Sequence, residues 1–189
     1  MPKQKQLSYA NWLQISANRV GKLLLVALGL YAGMTILYDA FNLITPDRLL
    51  LRWILTASAV TIVGVAWYAT RSDRSRMLHH QYAHYVYIGT MILFAASNVY
   101  LERGMASKSV FLFLIPLVVS TQLLRRSALY LTALLSTAAY SLAMIWYFVN
   151  NPAEGYKVEL YGEMIFYSVL FFCMAALLWG IVHSVSNRK

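Results

Sequence analysis

Two histidines in "HHQYAH", residues 79–84, are the first residues of this 189-residue chain whose type and spacing suggest chemistry. His80 and His84 are four apart, so on a helix they share a face and could present two imidazoles to one metal ion or a haem iron. His183 falls at a similar depth in the last apolar run. No carboxylate or cysteine completes the set. The pair lies beside Arg71, Arg74 and Arg76, where histidines at a membrane surface need no metal to account for them. The expectation is no metal and no cofactor.

A second group lies at the opposite ends of the apolar runs: Asp39, Arg52, Glu102, Arg103 and Glu163. Charges next to hydrocarbon are expensive, which makes each a functional suspect. Asn98 is one helical turn before Glu102 and shares its face. Trp146 and Tyr147 close the fifth apolar run at the same level. The expectation is that Asp39, Arg52, Asn98, Glu102, Trp146 and Glu163 converge in a cup open to the outside. Its net negative charge beside an indole would suit a small cationic or amphipathic ligand. The alternative is that Asp39, Arg52 and Glu163 only pair with each other or with lipid headgroups. No catalytic constellation stands out. Cys173 sits in an apolar run without a neighbouring acid or base, and there is no phosphate-binding glycine loop. With no soluble segment long enough for a catalytic domain, the chain is expected not to be an enzyme.

The elements that must position these residues are set by composition. The chain is 60% hydrophobic and 12% charged, whereas soluble domains carry roughly 25% charge. That places it in the membrane class, with room for one domain. The net charge of +9 does not indicate nucleic acid, because the basic residues sit in short clusters between apolar runs. One cysteine permits no internal disulfide. The first apolar run starts near Val20, is too long for a signal-peptide core and is followed by no cleavage site.

Six stretches approach the ~20 apolar residues that a bilayer-crossing helix needs: roughly 20–42, 49–70, 84–101, 109–124, 127–149 and 163–185. Continuous runs of this length exclude a barrel, whose strands alternate over about ten residues. The predicted fold is all-α: a polytopic six-transmembrane-helix bundle over 20–185, preceded by an arm (1–19) that forms a short interfacial helix and followed by a tail (186–189). In the arm, Tyr9, Trp12, Leu13, Ala17 and Val20 recur near a helical period. A disordered arm is the alternative. Eleven basic residues fall on one side: Lys3, Lys5, Arg19, Lys22, Arg71, Arg74, Arg76, Arg125, Arg126, Arg188 and Lys189. Five fall on the other: Arg48, Arg52, Arg103, Lys108 and Lys157. Short loops rich in Lys and Arg stay cytoplasmic, so both termini are expected inside. Arg125 and Arg126 then pin a tight inner hairpin, as topology anchors or as binders of phosphate and headgroups. Gly29 and Gly33 have the spacing that lets two helices approach closely, within one chain or between two. Tyr38, Tyr68, Tyr82, Tyr85, Tyr100, Tyr147 and Tyr161 lie near span ends and read as interface anchors.

The segment 98–148 carries a further pattern: an outer turn "RGMASKS", a short proline-bearing run "LFLIPLVV", an arginine-rich turn "LLRR" and a run with small residues and a tyrosine, "ALLSTAAY". This resembles the six-helix sensor domains that precede membrane-bound histidine kinases (the PilS type) and nucleotide cyclases. The resemblance implies a bacterial inner-membrane sensor that detects an extracytoplasmic or intramembrane ligand. It also implies a homodimer and a signal leaving through the sixth helix to a cytoplasmic partner. The chain departs from the kinases in carrying no phospho-acceptor helix or ATPase segment before Lys189. Two other readings compete. Six spans in this length also fit the substrate-binding subunit of a vitamin-type transporter, and the three histidines would suit a haem protein. The partners expected are membrane lipid and an unidentified small molecule, not nucleic acid.

Overall fold

The computed structural model describes residues 3–41, 43, 45–71, 77–102, 107–152 and 158–186. Arg103, and with it Asp73, Arg74, Arg76, Glu154, Lys157, Arg188 and Lys189, lie outside the described residues. The described residues form six α-helices and no strand: α1 (Lys3–Ala40), α2 (Pro46–Thr70), α3 (Met77–Leu101), α4 (Leu114–Thr121), α5 (Arg126–Asn150) and α6 (Val158–Ser186). A 3-10 helix, Lys108–Phe113, leads into α4. Four helical stretches are long and apolar enough to cross a membrane: Asn11–Ala40, Pro46–Thr70, Arg126–Asn150 and Glu159–Ser184. The chain is therefore helical and of the membrane class. The third expected span corresponds to α3, whose apolar character is diluted by His80, Gln81, His84 and Asn98. The fourth corresponds to the shorter apolar stretch Lys108–Thr121.

Local sequence explains the boundaries. Thr45 is extended and Pro46 stands at the start of α2, where its missing N–H is no loss and its fixed φ suits the first turn. Asp47 in that turn faces the positive end of the helix dipole. Pro116 lies just after the 3-10 to α junction, where the regular hydrogen-bond ladder is only beginning. At the end of α4 three successive amides turn back on the last carbonyls: Gln122 to Val119, Leu123 to Ser120 and Leu124 to Thr121. Leu124 then takes a left-handed φ of 52°, and Arg125 is extended before α5 starts at Arg126. The tight turn in "LLRR" is thus made by the backbone, and both arginines are exposed. The Arg126 guanidinium lies 5.4 Å over the Tyr130 ring.

The chain forms two compact units, Met1–Thr90 and Met91–Lys189, with the division inside α3. In the first unit α1 is continuous, so the arm and the first apolar run are one helix rather than two elements. Its buried stripe runs through Leu13, Ser16, Ala17, Gly21, Leu24, Leu28 and Thr35. Apart from the adjacent pair Ser16 and Ala17, these are steps of three and four residues and one of seven, on one helical face. Trp12 is turned outward. Gly29 and Gly33 are exposed, and a Cβ at either would meet nothing within 4 Å. Gly21 differs: a Cβ there would stand 2.6 Å from Tyr87 Oη, 2.8 Å from Trp67 Cδ1 and 3.0 Å from Trp67 Cβ. Helices α1 and α2 therefore approach closely at Gly21.

In the second unit α5 buries Leu129, Thr132, Ala133, Ser136, Tyr140, Ala143, Met144 and Tyr147 along one face. Helix α6 answers with Leu160, Phe171 and Ala175, and Phe113 and Leu117 fill the space from the 108–121 segment. Tyr147, expected at a membrane interface, is instead fully packed in this core, edge-on to Tyr100 at 6.1 Å. Tyr68, Tyr82 and Tyr161 are exposed, as interface anchors would be.

The Gly21 contact predicts that Gly21→Ala forces α2 to shift and costs about 1–3 kcal/mol, the usual range for overpacking. Gly29→Ala should be neutral. Thermal unfolding of both variants in one detergent checks this; equal midpoints would show that Gly21 is not a close crossing.

Candidate functional site

Two buried polar clusters, one in each unit, hold most of the chemistry. In the first unit, His84 of α3 is fully buried. Its Nδ1 lies 2.8 Å from the His80 carbonyl. A carbonyl only accepts, so Nδ1 carries the proton. Neutral His84 then accepts at Nε2, and Ser16 Oγ, 3.3 Å away on α1, is the donor. Both ring nitrogens are thus occupied by the protein, which leaves no lone pair aimed at a metal. His80 is buried beside it, whereas His183 is exposed in the other unit and stacks on Trp179 at 5.9 Å. Among the described residues no three His, Cys, Asp or Glu side chains are grouped as a metal would need.

Around this pair the first unit adds further polar ties. The Trp67 indole N–H of α2 donates to Asn18 Oδ1 of α1 at 2.7 Å. Thr70 Oγ1 donates to the Trp67 carbonyl at 2.7 Å. Arg71 lies 4.7 Å over the Trp67 ring, and His84 packs edge-on to Tyr87 at 6.3 Å. Two residues of the predicted arm that the sequence reading did not single out, Ser16 and Asn18, therefore tie α1 to α3 and α2. Their partners are 68 and 49 residues away. Polar residues at positions 14, 16 and 18 were the visible signal, but their partners were not visible.

The expected outer cup is divided between the units. In the first, Asp39 is exposed at the end of α1, and Arg52 is buried in α2, where its carbonyl accepts from Thr56 Oγ1 at 2.8 Å. In the second, Asn98 is fully buried and donates to the Phe94 carbonyl at 2.8 Å. Glu102 is committed to the following loop. Its Oε2 accepts from Ser107 Oγ at 2.9 Å and from the Ser109 amide at 3.2 Å, which fixes the start of the 3-10 helix. Trp146 is 64% exposed, outside its unit's core, and Glu163 is half-buried.

Glu163 has aromatic company instead. It precedes Tyr167 and Phe171 by one and two turns on the same face of α6. Tyr140 of α5 stands edge-on to Tyr167 at 5.2 Å and to Phe171 at 6.3 Å. Phe113 closes the cluster, 6.2 Å from Tyr140 and 5.4 Å from Phe171. Among the described residues neither Tyr140 Oη nor Glu163 Oε2, both shielded from solvent, has a hydrogen-bond partner. The Glu163–Tyr167–Phe171 spacing is legible in the sequence; the share of Tyr140 and Phe113 is not.

The Asn18–Trp67 bond predicts a measurable coupling. Asn18→Ala leaves a half-buried indole N–H without its acceptor and should cost about 1–2 kcal/mol. Trp67→Phe in the same chain should make the second change nearly free. A double-mutant cycle by thermal or urea unfolding reads the coupling, and strictly additive losses would contradict the bond.

No family model, no curated protein and no solved structure matches this chain.

Proposed function

We propose that the chain is a sensor or receptor module of the bacterial inner membrane. It crosses the bilayer six times with both termini in the cytoplasm, and it detects an extracytoplasmic or intramembrane ligand. The observation that supports this most is α6 itself. It carries Glu163 against the aromatic cluster near one end and continues unbroken to Ser186. Glu163 and Ser184 are 21 residues apart, about 30 Å along a helix, which is the thickness of a bilayer core. A rod of that length moves as one piece, so occupancy at Glu163 biases the position of its far end. The signal would pass from there to a cytoplasmic partner. The exposed Gly29–Gly33 face of α1 is open to a second copy, in line with a homodimer. The transporter reading draws on one observation, the break in regular helix at Lys108–Phe113 before Pro116, because transporters place broken helices at their substrate sites.

Six crossings place Lys108 outside and Ser127 inside. In a Cys173→Ser background, Lys108→Cys should react with a membrane-impermeant maleimide in intact cells, and Ser127→Cys only after permeabilisation. Both positions are exposed. Labelling of both from the same side would overturn the topology.

Purification from native membranes under mild conditions separates the two functions. A sensor is expected as a dimer accompanied by a kinase, cyclase or other output protein. A monomer recovered in fixed stoichiometry with an ATP-hydrolysing pair would decide for the transporter.

A further inference from the structure

We propose that the α5–α6 cluster of the second unit binds a protonated primary or secondary amine, with Glu163 as its counter-ion and Tyr140 as its second anchor. The inference deepens the sensor reading, on which it rests only for what the binding accomplishes. It starts from two orphan oxygens. Tyr140 is fully buried and its Oη has no hydrogen-bond partner among the described residues; Glu163 Oε2, equally shielded, has none either. An unsatisfied buried polar atom is destabilising, and a carboxylate oxygen more so than a neutral one. Both belong to one cluster: the Tyr140 ring stands 5.2 Å from that of Tyr167, which follows Glu163 by one turn on α6. A third group placed between them would satisfy both.

The chemistry of that group follows from what the two oxygens lack. A carboxylate only accepts, so the guest must donate, and a phenol oxygen accepts a second donor readily. An ammonium with two or three N–H bonds meets both demands and neutralises the carboxylate. The surroundings favour an organic cation over a metal ion. Tyr167, one turn after Glu163, belongs to a cluster with Tyr140, Phe171 and Phe113 whose rings are 5.2–6.5 Å apart, and aromatic rings attract alkylammonium groups. One carboxylate and one phenol fall far short of the six to eight oxygens that calcium takes. A quaternary ammonium would gain the ring faces but could donate to neither oxygen.

Glu163 lies in the second turn of α6, near one end of the stretch able to cross a membrane. At that depth a primary ammonium can come from a soluble amine or from the headgroup of phosphatidylethanolamine. The chemistry recognised is the same, and the membrane composition distinguishes the two sources.

The test uses the full chain in nanodiscs of pure phosphatidylcholine. Its thermal midpoint is followed while 2-phenylethylammonium chloride is titrated against sodium chloride at matched ionic strength. The expected result is a saturable rise in midpoint. Phenyltrimethylammonium should act more weakly and 2-phenylethanol not at all. Glu163→Gln should abolish the rise. Tyr140→Phe, which keeps the ring and the fold, should raise the dissociation constant roughly tenfold. In nanodiscs that contain phosphatidylethanolamine, a lipid source predicts a higher starting midpoint and a blunted amine response in wild type only. A soluble source predicts the same response in both lipids. The proposal is overturned if wild type shows neither an amine response in phosphatidylcholine nor a lipid-dependent midpoint. It is also overturned if the response survives Glu163→Gln unchanged. Should Glu163→Gln fail to fold, an unaltered affinity in Tyr140→Phe overturns it equally. The sensor reading fails differently, by amine binding that leaves the far end of α6 where it was.

Discussion

A polar side chain inside a helix bundle in lipid has no water to turn to, and this constraint organises the whole molecule. Every buried hydroxyl, imidazole, amide or carboxylate must find its partner within the protein or carry the cost of having none. Most of them solve the problem locally. Thr56, Thr132, Ser120, Thr121 and Asn98 each donate to a carbonyl three or four residues back on their own helix. Such bonds satisfy the group without linking helices. Others reach another element and fix the architecture, among them Ser16 to His84, Asn18 to Trp67, and Glu102 to the Ser107–Ser109 turn.

The same constraint separates structural residues from candidates for function. His84 is enclosed on both nitrogens, which makes it a fastener of α1 to α3 rather than a ligand in waiting. Glu102 is a clamp for the loop that starts the 3-10 helix. Among the described residues of the second unit, Tyr140 and Glu163 are left over, together with the Ser136 and Thr137 hydroxyls one turn before Tyr140 on α5. Groups whose needs the fold does not meet are where a ligand can gain affinity, because binding relieves a cost the free protein carries.

The helices were legible because each long apolar run has only one solution in a bilayer. Backbone chemistry explains Pro46 at the start of α2 and Pro116 near the start of α4, although the expected spans 49–70 and 109–124 used neither as a boundary. The arm was harder. Tyr9, Trp12, Leu13, Ala17 and Val20 read as a short helix lying at a headgroup surface, but α1 runs through them without a break. What makes Ser16 and Asn18 interior is a pair of contacts across 68 and 49 residues, and no local pattern encodes these. Trp146 lies outside its unit's core for a simpler reason. Trp146 and Tyr147 are neighbours, and neighbours on a helix point about 100° apart, so only one can face the core. The row Thr132, Ser136, Tyr140, Ala143 and Tyr147 sets that phase, small and hydroxylated residues at steps of three and four. Read as a stripe, it points to Tyr147 and Tyr140 and away from Trp146. Glu163 was recognisable from its cost alone; Tyr167 and Phe171 follow it at steps of four but were not singled out. That Tyr140 and Phe113 complete the cluster depends on how α5, α6 and the 108–121 segment pack.

The central claim is that occupancy beside Glu163 is felt at the opposite end of α6. Nitroxides at Ser127→Cys and Ser184→Cys, in a Cys173→Ser background, report the distance between the start of α5 and the end of α6; both sites are exposed and belong to the same unit. Pulsed dipolar spectroscopy in nanodiscs, without and with saturating 2-phenylethylammonium, measures that distance as a distribution. The account predicts two populations whose ratio changes with the amine, and no change in the Glu163→Gln variant. A single distribution that stays the same when the amine is bound would contradict it.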